Sequence, residues 1–157
     1  IVLARMAAHD AANALVTLFQ TIDSTADADK WLTKPLDVHR EFRIGAVTIK
    51  ATPLIALECV GWKTSGRGAS EHEIAVDFEA HCVTRAATKA EETAINVAAD
   101  VVFALSQDEY LGAILTEEIL DVEVTFNVEL SQSTGLAVFT VAFQAKANFD
   151  HSTATPS

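Results

Sequence analysis

Long segments in which apolar and polar residues alternate dominate the last third of the chain, and they constrain the fold more than any other feature. Every second residue is apolar from Val122 to Leu130, and again from Phe139 to Phe149. Such alternation is typical of β-strands that bury one face in an antiparallel sheet. Ser131–Gly135 separates the two segments, so the sequence predicts a long β-hairpin with a turn at this position.

Three further strands are predicted earlier in the chain, over Phe42–Lys50, Leu54–Val60 and Glu73–Val83. The second is apolar on both faces apart from Glu58, which is typical of a well-covered strand. The third alternates clearly, so it is predicted to be half-buried. Its polar face carries Asp77, Glu79 and His81.

A polar segment, Gly61–His72, connects the last two of these strands and is predicted to be a loop. It is long for a hairpin connection, and it contains Gly61, Gly66 and Gly68. Connections of this kind are often functional. Because Lys63 and Arg67 make this segment locally positive in an acidic chain, we expect it to act as an interaction arm.

Two amphipathic helices are predicted from apolar residues at helical spacing. The first covers Met6–Ile22, and a polar connection, Asp23–Pro35, follows it. The second runs from Ala90 to about Leu105 behind a capping box formed by Thr88 and Glu91.

These elements predict a single α+β domain over residues 1–150 and a flexible C-terminal tail over residues 151–157. The domain is expected to contain a mainly antiparallel sheet of about five strands packed by two helices, in the order α-β-β-β-α-β-β. A chain of 157 residues, half of them hydrophobic, is long enough to bury a core of this kind.

The charge of the chain excludes several classes of function. A formal net charge of −11 disfavours binding to nucleic acid or to anionic membranes.

No apolar run approaches the roughly 18 residues that span a bilayer, and the N-terminus does not resemble a signal peptide, so we expect a soluble protein made in the cytosol. Cys59 and Cys82 are predicted to be small buried hydrophobes without a disulfide, which fits a reducing compartment.

Searches for catalytic, cofactor and metal motifs give no candidate, so the sequence predicts a protein that is not an enzyme. The five histidines show neither paired helical spacing nor clustering with cysteine, and Glu71–Glu73 is the nearest candidate for a metal site. Cys82 and its neighbour His81 point to opposite faces of a strand and cannot cooperate. The segment Gly66–Gly68 is too short for a phosphate loop.

The acidic residues near the second hairpin are interpreted as a solvated stripe and not as an acid–base pair. Asp121, Glu123 and Glu129 are expected on the solvent face of one strand. With no catalytic motif in the sequence, its main feature is a set of long strands, whose edges need protection from uncontrolled pairing with other chains. Closed homo-oligomeric rings protect such edges by heterologous packing between subunits.

The order of elements resembles the tail terminator, or minor tail protein, family of long-tailed phages and phage-like particles. The resemblance lies in the segments Ile74–Ala80, Ala90–Leu105, Val122–Val128 and Ala137–Phe143, and as a pattern it extends over about Met6–Phe149. It implies a structural virion subunit that forms a hexameric ring, caps the tail tube, stops its polymerisation and joins the tail to the head.

The resemblance also implies partners and contact residues. The partners would be further copies of the chain, the tail tube protein and a neck or connector protein, with genome DNA passing through the lumen without specific binding. The expected ring-to-ring interface residues are Lys63, Arg67, Glu71 and Glu73, although Glu71 and Glu73 are alternatively channel-facing. The acidic residues expected to face the channel are Asp121, Glu123 and Glu129.

Two other classes of function stay open at this point. A neck, head–tail connector, tail-completion or baseplate protein would share the ring architecture. A small ligand-binding domain or enzyme would need a polar-lined pocket between the second helix and the sheet.

Overall fold

The computed structural model describes residues 2–40, 51–67, 71–85, 89–108, 110–119 and 121–150. The helices are α1 (Val2–Phe19), α2 (Ala90–Gln107) and α3 (Val128–Thr134). The strands are β1 (Asp37–Arg40), β2 (Leu54–Arg67), β3 (Glu71–Thr84), β4 (Glu123–Phe126) and β5 (Ala137–Asp150). They form one sheet in the order β1-β2-β3-β5-β4, in which only the β1–β2 pair is parallel. The predicted α+β class with a mainly antiparallel five-stranded sheet is therefore confirmed.

The main hydrophobic core lies between one face of the sheet, here called the inner face, and helices α1 and α2. Alternate residues of β3 and β5 point into it, and Phe78 packs against Phe143 with ring centroids 5.7 Å apart. Leu15 and Phe19 of α1 are fully buried against the same face. The helical and strand periodicities of the sequence thus meet in one layer of apolar side chains, which is the main source of stability.

Among the described elements, α3 covers one end of the opposite, outer face of the sheet, where it lies over a second, smaller core. Its buried residues are Leu54, Ala56, Val83 and Val138, with Leu130 and Leu136 packed against them. The rest of the outer face carries polar and charged residues. Among the described residues, α1 and α2 therefore cover most of the inner face, whereas α3 covers only one end of the outer face.

Helix α3 contradicts the predicted strand Val122–Leu130, which in the structure extends only over Glu123–Phe126. The Asn127 side chain accepts a hydrogen bond from the Leu130 N–H and caps the helix. Gly135 ends it with a φ of +70°, a conformation that favours glycine. These two caps, with seven helical residues between them, override the alternating pattern. The predicted turn Ser131–Gly135 belongs to this helix and its C-terminal cap.

The predicted loop Gly61–His72 is also wrong, because β2 and β3 continue as a paired hairpin from Trp62 opposite Val76 to Arg67 opposite Glu71. In its described part, polar residues such as Lys63 and Thr64 belong to an exposed strand and not to a loop. A β-bulge between Cys59 and Gly61 interrupts the ladder once. At 14 residues, each long strand spans roughly 45 Å.

Smaller differences concern element boundaries. Helix α2 begins at Ala90 as predicted, but its N-cap is Lys89, without a side-chain cap hydrogen bond, and not Thr88, so the predicted capping box with Glu91 is wrong. The short strand β1 was not predicted, and the predicted strand Phe42–Lys50 lies outside the described residues, as do residues 151–157. Cys82 is buried as predicted, whereas Cys59 is exposed, which contradicts its prediction; neither forms a disulfide.

The connection between α1 and β1 is fixed to α2 by one buried carboxylate. Asp100 accepts hydrogen bonds from the backbone N–H of Leu32 at 3.0 Å and from the backbone N–H of Thr33 at 2.8 Å. The Thr33 hydroxyl donates a third bond at 2.6 Å. Trp31 packs edge-on against Phe103 beside this site. The connection is therefore an integral part of the fold.

Candidate functional site

The open part of the outer face carries a row of acidic residues whose positions are fixed by strand register. Glu58 on β2 lies directly opposite Glu79 on β3, which lies opposite Ala142 on β5. Ala142 in turn lies opposite Glu123 on β4. Carboxylates therefore occupy three of four neighbouring positions in a line across the sheet.

An open cleft of about 610 Å³ lies along this row, and acidic side chains line much of it: Asp77, Glu79, Asp121 and Glu123. Asp77 accepts a hydrogen bond of 3.0 Å from the Gln144 amide. Asp121 and Glu123 are exposed to solvent. An exposed, acidic depression of this kind disfavours anions and lacks the enclosed apolar lining of small-molecule sites.

A buried histidine lies on the outer face next to this row. His81 is only 2% exposed. Its Nδ1 lies 2.9 Å from the Thr140 hydroxyl oxygen, which also accepts a hydrogen bond of 3.0 Å from the Asn127 amide. Burial lowers the pKa of His81, and the nearby Glu79 carboxylate only partly opposes this effect. The imidazole is therefore held in one orientation and favours its neutral form.

The other ring nitrogen of His81 points towards two carboxylates. Its Nε2 lies 3.5 Å from Glu58 Oε2 and 3.9 Å from Glu79 Oε1, and the ligand atoms of the three residues all lie within 4.8 Å of one another. We call these residues the Glu58–Glu79–His81 cluster. Sequence reasoning predicted no such site. The two-residue spacing of Glu79 and His81 was visible on β3, but the contribution of Glu58 depends on the register of β2.

The structure separates the residues that were predicted to form one acidic stripe. Asp121 and Glu123 lie together at the cleft, whereas Glu129 lies in the first turn of α3 and not on the same strand face. That part of the prediction is wrong, because Asn127 ends the strand before Glu129 is reached.

The predicted interface residues lie on the distal half of the β2–β3 hairpin. Lys63 is exposed on β2, and the backbones of Arg67 and Glu71 pair at the last described position of the ladder. Glu73 is 7% exposed, so little of its side chain is accessible to a partner. The hairpin thus brings these four residues into one region, where Lys63 is exposed and Glu73 is buried.

A second exposed feature lies at the sheet edge formed by β4. This four-residue strand pairs with β5, and all of its side chains are exposed. Val124 and Phe126 are 43% and 45% exposed. We call Val124, Phe126 and the adjacent Val128 the β4 apolar edge. Apolar side chains on an edge strand favour association with another chain.

Comparisons with known proteins add no family to this description. No protein-family model matches the chain, and no curated protein matches it. Within the described residues, none of the helices has the length and apolar character needed to cross a membrane.

Proposed function

We propose that this chain is a structural virion subunit that closes into a ring at the end of a phage tail tube, ends polymerisation of the tube and joins the tail to the head. The observation that carries the proposal is a sheet whose inner face is largely packed by helices, while the acidic cleft and the β4 apolar edge are exposed in the described part of the chain. Surfaces of these two kinds fit a subunit that works in an assembly.

The β4 apolar edge supplies the contact between neighbouring copies. In a ring, each subunit presents one surface to the copy on one side and a different surface to the copy on the other. Burial of Val124 and Phe126 by a neighbour would remove apolar side chains from water and cover an unpaired strand edge. Closure of the ring then prevents the same edge from driving open-ended association.

The acidic cleft supports a lumen-facing position for the outer face. DNA passing through a ring meets the least adhesion where the wall repels phosphates. Asp77, Glu79, Asp121 and Glu123 give the cleft this property. The hairpin around Lys63 and Arg67 would then contact the adjacent ring of tube protein or neck protein.

Native mass spectrometry of the purified chain tests ring formation. We expect a closed species of about six subunits. The double substitution Val124→Lys and Phe126→Lys should convert this species to monomers, because two lysines at the edge oppose both apolar burial and strand pairing. Ile95→Lys on α2 is the matched control, since Ile95 is equally exposed, at 44%, but lies on a helix. A wild-type chain that stays monomeric at high concentration, in the presence of the tube protein of the same genome, would contradict the proposal.

Charge reversal at the hairpin tests the joining surface. Lys63→Glu with Arg67→Glu should leave the melting temperature and the ring intact but reduce the yield of joined particles, because the variant repels an acidic neighbour instead of attracting it. Lys30→Glu with Lys34→Glu changes the charge equally at exposed positions on the α1–β1 connection and should join normally. Normal joining by the hairpin variant would remove these residues from the interface.

Binding to isolated tail tubes distinguishes the proposal from its alternatives. A terminator ring co-sediments with tubes and labels one end of each in electron micrographs. A neck, connector or baseplate ring labels the head vertex or the opposite end of the tail. A ligand-binding domain or enzyme would stay monomeric and gain thermal stability from a small molecule in a ligand screen.

A further inference from the structure

We propose that the Glu58–Glu79–His81 cluster is a binding site for a divalent first-row transition ion, with Zn²⁺ as the representative ligand. The three residues offer one imidazole nitrogen and two carboxylates from two neighbouring strands. This site is independent of ring formation, since all its ligands come from one chain.

The spacing of the donor atoms supports a metal site. Zinc–ligand bonds of about 2.0–2.2 Å in a tetrahedral arrangement place neighbouring ligand atoms about 3.3–3.6 Å apart. His81 Nε2 lies 3.5 Å from Glu58 Oε2 and 3.9 Å from Glu79 Oε1. These separations are longer than a good charge-assisted hydrogen bond of about 2.7–2.9 Å. The glutamates are partly exposed, so small rotations can bring both oxygens to the ion.

The surroundings of His81 give a second, independent argument. Metal-binding histidines use their other ring nitrogen in a hydrogen bond that fixes the ring and its tautomer. Here Nδ1 lies 2.9 Å from the Thr140 hydroxyl oxygen, and the Asn127 amide donates to the same oxygen. With the Nδ1 proton donated to Thr140, the Nε2 lone pair points at the two glutamates. A cation between the three residues could then contact one electron-pair donor atom of each, since these atoms all lie within 4.8 Å of one another.

The ligand set selects the class of ion. Mg²⁺ and Ca²⁺ take oxygen ligands, whereas imidazole nitrogen favours zinc and its neighbours in the first transition row. Three protein ligands leave a fourth tetrahedral position for water or for a group that enters from the cleft, because Glu79 lines both the cluster and the cleft.

Zinc titration of the chain tests the site. The protein is stripped with a chelator, its circular dichroism spectrum is checked, and ZnCl₂ binding is measured by calorimetry and by metal analysis after gel filtration. We expect one ion per chain. Glu58→Gln and Glu79→Gln should each weaken binding by about a hundredfold, since each removes an anionic ligand. Glu123→Gln, which removes a carboxylate from the same row outside the cluster, should bind normally.

Two further variants keep the test decisive if His81→Gln fails to fold. Thr140→Val should weaken zinc binding about ten- to a hundredfold through loss of the ring orientation, and Thr140→Ser should restore it. Zinc binding that is absent from the wild-type chain would show that the cluster is a hydrogen-bonded histidine, and would overturn the proposal. Binding that survives Glu58→Gln with Glu79→Gln would place the ion on other histidines, and would overturn it as well.

Discussion

Replacing Asp100 with alanine lowers the free energy of unfolding by about 3–5 kcal/mol, because it leaves buried donors without an acceptor. The side chain is 2% exposed and receives the backbone N–H groups of Leu32 and Thr33 together with the Thr33 hydroxyl. The connection between α1 and β1 would detach from α2, and the packing of Trp31 against Phe103 would be lost with it.

Urea unfolding followed by circular dichroism measures this effect. Asp100→Asn is the matched variant. Its amide oxygen can still accept a hydrogen bond from the backbone N–H groups, but its NH₂ group cannot accept one and would face the remaining donors. Its destabilisation should therefore be smaller than that of alanine. As a position control, Asp108→Ala removes the acceptor of the Gly112 N–H, an exposed bond, and should change stability by less than about 1 kcal/mol. Equal stability of wild type and Asp100→Ala would show that the hydrogen bonds to Asp100 contribute nothing to the free energy of unfolding.

The second large effect is a difference in reactivity between the two thiols. In the native protein, we expect a thiol reagent to react with Cys59 about a thousandfold or more faster than with Cys82. Cys82 is 0% exposed and lies near the C-terminal end of β3, the central strand of the sheet, opposite Ile55 of β2 and Phe139 of β5. Burial also raises the pKa of its thiol, so little thiolate forms. Partial desolvation raises the pKa of Cys59 too, but the residue is exposed.

Single-cysteine variants measure the two rates separately. Cys59→Ser isolates Cys82, and Cys82→Ala isolates Cys59. If Cys82 reacts only through global unfolding, then adding Asp100→Ala should accelerate its labelling by the factor that corresponds to the loss of stability. Labelling of Cys82 within tenfold of Cys59 would contradict this, and would indicate local opening of β3 in the native state.

The elements that sequence reasoning located best are those whose periodicity persists over many residues. The return strand at Ala137–Asp150, β3 and α2 each carry a regular apolar pattern that the tertiary packing uses. Helix α3 was not predicted, because seven residues are too few for a helical period to outweigh the strand-like alternation of Val122–Leu130. Its caps, Asn127 and Gly135, were the available signal, and both were assigned to a hairpin.

The candidate site was predictable only in part, for a different physical reason. The acidic character of Asp121 and Glu123 and the shared face of Glu79 and His81 follow from the sequence alone. The contact of His81 with Glu58 follows from strand register, which depends on where the β-bulge lies. The burial of His81 needs Asn127 and Thr140 at one end of the outer face. These contacts join parts of the chain that no local pattern connects.

The bulge between Cys59 and Gly61 has a consequence for how β2 can change in length. Normally the loss of one residue from a strand turns every later side chain to the other side of the sheet. Here Val60 is the additional residue, because Cys59 pairs with Phe78 and Gly61 with Asp77, its immediate neighbour. Removal of Val60 would leave an uninterrupted ladder with Trp62 and Lys63 on their present sides. At this one position of β2, an in-frame codon loss therefore keeps the pairing partners of the later β2 residues and the side of the sheet on which they lie.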